Sequence, residues 1–272
     1  MAVMQISFFS KCMKREVTFN ALLPLDQAAE ESPDSKENTK GLKSLYLLHG
    51  YCGSHTDWLS YSRIRELSDR HQVAVFMPAG ENKFYLDNEE REEWLGEYIG
   101  RELVQFTRRM FPISSEREDT FIGGLSMGGY GAIRNGLKYA DHFGGIIALS
   151  SALLPYSLPD MRPDVHNGIA SYDYYKSVFG DLDLVLGSDK DPEELVRCLK
   201  TEEVDIPRIY LACGTEDFLL HVNQRLHQFL LSEDVDHTYV ETSGAHTWDF
   251  WNEYIADALK WAIESRNESA VS

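Results

Sequence analysis

Ser126, Asp217 and His246 have the types and the chain order of a proton relay that makes a hydroxyl nucleophilic. A serine hydroxyl attacks poorly unless a base takes its proton, and that base needs an acid to orient it and to balance its charge. Ser126 is framed by glycines in Gly124-Leu125-Ser126-Met127-Gly128, the G-x-S-x-G pattern of a sharp strand-to-helix turn. Such a turn strains the serine backbone and projects its hydroxyl, and side chains two positions away on either side would collide with it. The helix that follows aims free N–H groups and the positive end of its dipole at the serine. The chemistry implied is attack on a carbonyl carbon, with an oxyanion forming beside that helix. Two backbone N–H donors are needed to hold it. Met127, directly after the nucleophile, is one, and Tyr51, in the turn His49-Gly50-Tyr51, is the choice for the other.

Each residue also has a plain structural reading. Asp217 could cap the helix after it, and Glu216 competes for the acid role. His246 could be a helix-start residue, and His49-Gly50 a simple turn at a strand end. Cys52 lies near enough to suggest a nucleophile, but no base stands beside it and it reads as a wall residue. His49, Gly50, Trp58 and Trp248 are candidate substrate contacts, with Phe84 and Tyr85 as further aromatics that could equally be core.

The elements that must position these groups can be read from periodicity. Two alternating stretches, 6–10 and 16–23, form an antiparallel hairpin. Residues 42–48 and 73–77 read as strands buried on both faces. Residues 58–70 and 94–110 read as helices, with a loop over 79–93. The nucleophile strand at 121–122 leads into a helix bearing Ala132, Ile133, Leu137 and Ala140, and a strand over 144–149 follows. Strands at 206–213 and 236–240 alternate with helices at 218–232 and 247–264. Ser126, Asp217 and His246 each fall just past a strand, and parallel strands end on one edge of a sheet. The expected architecture is therefore α/β: one mostly parallel sheet with helices on both faces, formed by 1–272 as a single domain. Two segments lie apart. Residues 26–41 are polar and acidic and read as a surface loop. Residues 151–205, rich in proline, aspartate and tyrosine, are too long for a plain connection. They read as a partly helical insertion over the C-terminal edge of the sheet, with a helix over 191–200.

Composition narrows the partners. Forty-four acidic against 26 basic residues give a net charge of −18, which argues against nucleic acid or an anionic membrane surface. No run of about 20 apolar residues and no signal peptide is readable. The four cysteines, Cys12, Cys52, Cys198 and Cys213, are widely spaced and suggest reduced thiols and a cytoplasmic location. No H-E-x-x-H, H-x-H or phosphate-loop pattern appears, so neither a metal nor another cofactor is expected. A small-molecule ester is the expected partner, and homo-oligomerisation is left open.

The sequence resembles the esterase D branch of the α/β-hydrolases. The likeness is carried by Tyr46-Leu47-Leu48-His49-Gly50, by 121–131 around Ser126, by Cys213-Gly214-Thr215-Glu216-Asp217-Phe218, and by 244–251 around His246. It is nearest to the tributyrin-esterase-type carboxylesterases of Gram-positive bacteria. The resemblance implies an α/β-hydrolase fold with Ser126 as nucleophile, His246 as base and Asp217 as acid. It also brings alternatives: S-formylglutathione thioesterase or feruloyl esterase activity. The S-formylglutathione hydrolases place a cysteine in the oxyanion stretch where this chain has Gly53, which favours simple oxygen esters. A silent binding protein on the same fold is the non-enzymatic alternative.

Overall fold

The computed structural model describes residues 1–25, 41–163 and 169–264. The loop expected over 26–41 lies, except for Gly41, outside the described residues.

Eight strands form one sheet: β1 (Ala2–Ser10), β2 (Arg15–Leu23), β3 (Lys43–Leu48), β4 (Val73–Pro78), β7 (Thr120–Leu125), β8 (Gly145–Leu149), β9 (Arg208–Gly214) and β10 (His237–Thr242). Their spatial order is β1-β2-β4-β3-β7-β8-β9-β10, with β5 (Asp87–Asn88) and β6 (Glu93–Trp94) forming a separate two-residue ladder. Within the large sheet β2 pairs antiparallel with both β1 and β4. The rest pair in parallel, as expected for strands separated by helices.

The helices are α1 (Asp57–Tyr61), α2 (Ile64–His71), α3 (Leu95–Glu97), α4 (Leu103–Met110), α5 (Met127–Lys138), α6 (Tyr172–Phe179), α7 (Pro192–Thr201), α8 (Leu220–Ser232) and α9 (Trp248–Ile263). They cover both faces. Along β3 the side chains alternate: Tyr46 and Leu48 join a core with Leu103 of α4, Ile133 of α5 and Leu226 of α8. Leu45 and Leu47 join the opposite core with Trp58, Ile64 and Ile255 of α1, α2 and α9. This burial on both faces makes β3 apolar from Leu45 to Leu48.

The helix expected over 58–70 is two helices. Ser62 is the breakpoint: its hydroxyl donates to the Trp58 carbonyl at 2.5 Å and accepts from the Ile64 amide at 3.1 Å. A serine that bonds locally in both directions gives the backbone an alternative to continuing the helix. The helix expected over 94–110 is continuous but widens into a π-turn at Tyr98–Glu102. The insertion contains the expected helix α7, begun by Pro192 and capped by Asp191, whose carboxylate accepts from the Glu193 amide at 3.0 Å. It also contains α6, capped by Ser171.

Candidate active site

The three candidate residues lie at the C-terminal edge of β7, β9 and β10. Ser126 joins β7 to α5 with φ +54°, ψ −118°. This is left-handed backbone that a non-glycine residue adopts only when its surroundings enforce it. The enforcement is visible. The Ser126 amide donates to the Leu149 carbonyl at 2.9 Å, and its carbonyl accepts from Ala152 at 3.0 Å. Gly124 and Gly128 press together, since a methyl group on Gly124 would sit 2.4 Å from the Gly128 carbonyl oxygen.

Asp217 follows β9 and His246 follows β10. His246 Nδ1 donates to Asp217 Oδ2 at 2.8 Å. A carboxylate only accepts, so the proton sits on Nδ1 and Nε2 is left with its lone pair. Asp217 Oδ1 accepts from the Leu219 amide at 2.9 Å. The carboxylate thus does both jobs that its position allows: it steadies the turn into α8 and holds the imidazole. Burial pushes its pKa up, but the bonds from His246 and Leu219, with help from the Ser150 hydroxyl, outweigh that and hold it below the usual carboxylate value. Glu216 faces elsewhere. It is exposed, and its carboxylate accepts from the Gly244 amide, tying together the two loops that carry Asp217 and His246. Those loops touch closely: a methyl on Gly214 would fall 2.0 Å from the Gly244 carbonyl oxygen.

On the oxyanion side, Met127 is the first residue of α5, so its N–H has no partner within the helix. Residues 50–53 form a turn closed by the Gly53 amide on the Gly50 carbonyl at 3.1 Å. The Tyr51 N–H occupies the first central position, where the turn does not use it. Cys52 takes the second with φ +62°, its amide donating to Asn82 Oδ1 at 2.7 Å. Gly50 lies against Ser126, for a methyl there would be 3.6 Å from Ser126 Cβ and 2.7 Å from Leu125 Cδ1.

His49 is 1% exposed and stands behind this turn. Its Nδ1 donates to the Gly50 carbonyl at 2.8 Å, and its Nε2 accepts from the Gly80 amide at 2.8 Å. Burial lowers its pKa, an effect only partly offset by the Gly50 carbonyl, and the bonding pattern itself requires a neutral ring. Trp58 is buried too, with its indole N–H on the Leu48 carbonyl at 3.0 Å. Both side chains therefore spend their polar atoms on the backbone that shapes the site and have none to offer a substrate. Trp248 is half-buried, with its ring against Trp58 and Trp251.

Other residues at the site take parts that local sequence does not announce. Trp251 donates its indole N–H to Ser150 Oγ at 3.0 Å and packs edge-on against His246, 4.9 Å between centroids at 90°. Ser150 has φ +47°, which nothing in its residue type announces. On the insertion, Tyr174 of α6 donates to the Asn82 carbonyl at 2.6 Å and packs its ring 5.7 Å from that of Tyr51. Phe84 bridges Tyr51, Tyr130 and Phe179. The insertion thus roofs the oxyanion turn with aromatic rings. Among the described residues no group of three His, Cys, Asp or Glu side chains could hold a metal ion, and no helix is long and apolar enough to cross a membrane. All four cysteines are free thiols.

The family model described as "Putative esterase" matches residues 10–262. An acetyl esterase of Caldicellulosiruptor saccharolyticus is 55% identical over 265 residues, covering 96% of this chain and 98% of that protein. Among solved structures, the fluorophosphonate-binding serine hydrolase FphF of Staphylococcus aureus superimposes with a TM-score of 0.84 at 28% identity, covering 97% of this chain and 99% of that one. The S-formylglutathione hydrolase FrmB of the same organism gives a TM-score of 0.81 at 28% identity, with 97% and 99% covered. The eight-stranded sheet with helices on both faces is accordingly an α/β-hydrolase fold.

Proposed function

The chain belongs to the "Putative esterase" family, and from that premise we propose that it is a serine carboxylesterase for short acyl esters. The observation that carries the reading is the 2.8 Å bond from His246 Nδ1 to Asp217 Oδ2, at the same sheet edge where Ser126 sits in a strained strand-to-helix turn. In this mechanism His246 Nε2 takes the Ser126 proton as Oγ attacks the ester carbonyl. Asp217 keeps the ring in the right tautomer and stabilises the imidazolium that forms. The Met127 and Tyr51 amides receive the oxyanion, each worth roughly 3 kcal/mol to the transition state. His246 then protonates the departing alcohol, leaving an acyl-Ser126 ester. Water enters, gives a proton to His246 and attacks the acyl carbon. The proton returns to Ser126 as the acid departs.

Two observations support a short acyl group. The 55% identical relative is an acetyl esterase. The Tyr51 ring packs against Tyr174 and Phe84, aromatic rings that would bound a short acyl group beside the oxyanion donor. The domain is read as one unit over 1–272, acting in the cytoplasm without a cofactor. Thioester hydrolysis is the second reading, favoured by the likeness to the FrmB structure. Gly53 stands against it, since its place in the oxyanion turn holds no thiol.

The test is kcat/KM for p-nitrophenyl esters from acetate to octanoate, with Ser126→Ala as the blank. The expected profile peaks at two to four carbons, and the variant loses at least roughly a thousandfold in kcat while folding normally. Wild-type turnover by Ser126→Ala would sink the assignment. A parallel comparison of an acetyl oxygen ester with S-formylglutathione separates the two readings.

A further inference from the structure

Phe218 follows the acid Asp217 directly, and its ring is 57% exposed to solvent. It lies tilted at 50° against the His246 imidazole, with 4.7 Å between centroids. Of the large apolar side chains that the described residues expose, this is the one in ring contact with the triad. The other aromatic neighbour of that imidazole, Trp251, is buried. The two rings therefore do different work. Trp251 is part of the folded core. Phe218 leaves most of its surface in water, where a folded protein gains little from it.

The direction of the chemistry says what meets that surface. His246 must donate its proton to the departing alcohol oxygen, so the alcohol lies on the imidazole's side of the scissile bond. The acyl group lies on the other side, towards the turn that carries Tyr51. A ring exposed beside the proton donor is therefore a ring beside the leaving group. The local charge narrows the choice. Residues 214–220 and 242–251 contain no Lys or Arg, while Glu216 and Asp249 are exposed there. An anionic leaving group would find no counter-charge on these loops.

We infer that Phe218 is a specificity-determining platform for the alcohol half of the substrate, and that this alcohol is uncharged and presents a flat ring face. An aryl ring and the apolar face of a pyranose share that chemistry. Each would cover the exposed side of Phe218 while its oxygen faces His246. The inference rests on the triad reading of the previous subsection, and it names the alcohol that reading leaves unspecified.

The experiment compares ethyl acetate, benzyl acetate and a mono-acetylated methyl pyranoside. All three are alkyl acetates, so the acyl half is constant and the leaving groups differ chiefly in the ring. Wild type, Phe218→Ala and Phe218→Trp are assayed for kcat/KM. Phe218→Ala is expected to lose about tenfold on benzyl acetate, on the pyranoside or on both, and at most about twofold on ethyl acetate. The loss should fall in KM more than in kcat, and Phe218→Trp should restore it. Which ring ester loses rate identifies the source of the ring. Equal losses on all three esters would show that Phe218 merely supports His246, and unchanged rates would show that it touches no substrate; either overturns the inference. Failure of the triad reading looks different, because Ser126→Ala would then retain turnover on ethyl acetate.

Discussion

The indole of Trp251 donates its N–H to the Ser150 hydroxyl oxygen at 3.0 Å, joining the first turn of α9 to the end of β8. The same ring supports the edge of His246, and the amide next to Ser150 in sequence, that of Ser151, is held by Asn223 of α8 at 3.1 Å. One side chain thus ties His246 to the strand end against which the Ser126 amide is bonded. Replacing Trp251 by Phe keeps the ring and removes the donor. A buried hydroxyl left without that partner costs about 1 kcal/mol. The expected outcome is a loss of that size in urea unfolding, together with a several-fold fall in kcat and little change in KM.

Asp217→Asn keeps the size of the acid and removes its charge. The imidazolium formed during attack then lacks its counter-ion, and kcat is expected to fall by about ten-thousandfold. Glu216→Gln changes the adjacent exposed carboxylate, which bonds the Gly244 amide and not the imidazole. It is expected to cost less than about threefold. Steady-state kinetics on both variants decide between the two acids, and the opposite ranking would reassign the role.

Gly50→Ala places a methyl 2.7 Å from Leu125 Cδ1 and 3.6 Å from Ser126 Cβ. Either the Leu125 side chain or the turn must give, and a shift of the turn carries the Tyr51 amide away from the oxyanion. A displaced donor costs roughly a hundredfold in kcat. Circular dichroism should remain that of the wild type, and a loss of fold instead of rate would deny the turn its catalytic part.

Acid should weaken the fold through His49. Burial holds its folded pKa below the ordinary histidine value, so the unfolded chain binds the proton more readily. Its contribution to stability is fully present above about pH 6.5 and is lost as pH falls through the folded value. Protonation would also break the bond from the Gly80 amide to Nε2. Urea unfolding at pH 7.5, 6.5 and 5.5 is expected to show declining stability in the wild type and a shallower decline in His49→Gln. Asp217, with its depressed folded pKa, works in the same direction but over a lower range. Its contribution is present above about pH 4 and is lost as pH falls further.

Much of this architecture was legible because period-two and helical patterns alternate cleanly along the chain. The hairpin of β1 and β2, the strands at 43–48 and 73–78, and the three strand ends carrying Ser126, Asp217 and His246 all follow from that pattern. The features that escaped it depend on contacts between distant residues. Ser62 breaks a helix through its own side-chain bonds in an otherwise periodic segment. The π-turn at 98–102 brings Gly100 so close to Tyr139 that a methyl would lie 2.0 Å from the ring, a fit that local sequence cannot express. At its end, Glu102 bonds the Lys11 amide at 2.7 Å in the connection of the first hairpin, 91 residues away. Neither Ser150 nor Trp251 stands out by itself, since their joint meaning exists only once β8 and α9 are side by side. His49 was visible as a turn residue, but its two backbone bonds were not.

Arg134 of α5 has its side chain 1% exposed, and the groups that answer its charge lie on other segments. Its guanidinium pairs with the Asp189 carboxylate, donates from Nε to the Asp189 carbonyl at 3.1 Å, and stands 3.6 Å from Asp87. Tyr130, one turn earlier on the same helix, reaches the Lys190 carbonyl at 2.8 Å. Swinging this part of the insertion away would take the Asp189 carboxylate from a buried guanidinium and leave it only Asp87 at 3.6 Å, at a cost of several kcal/mol. The roof over the oxyanion turn is therefore fixed masonry and not a door. If the proposed ester chemistry holds, the room left for the acyl group is a dimension of the folded state that heating should not relax before the whole molecule melts.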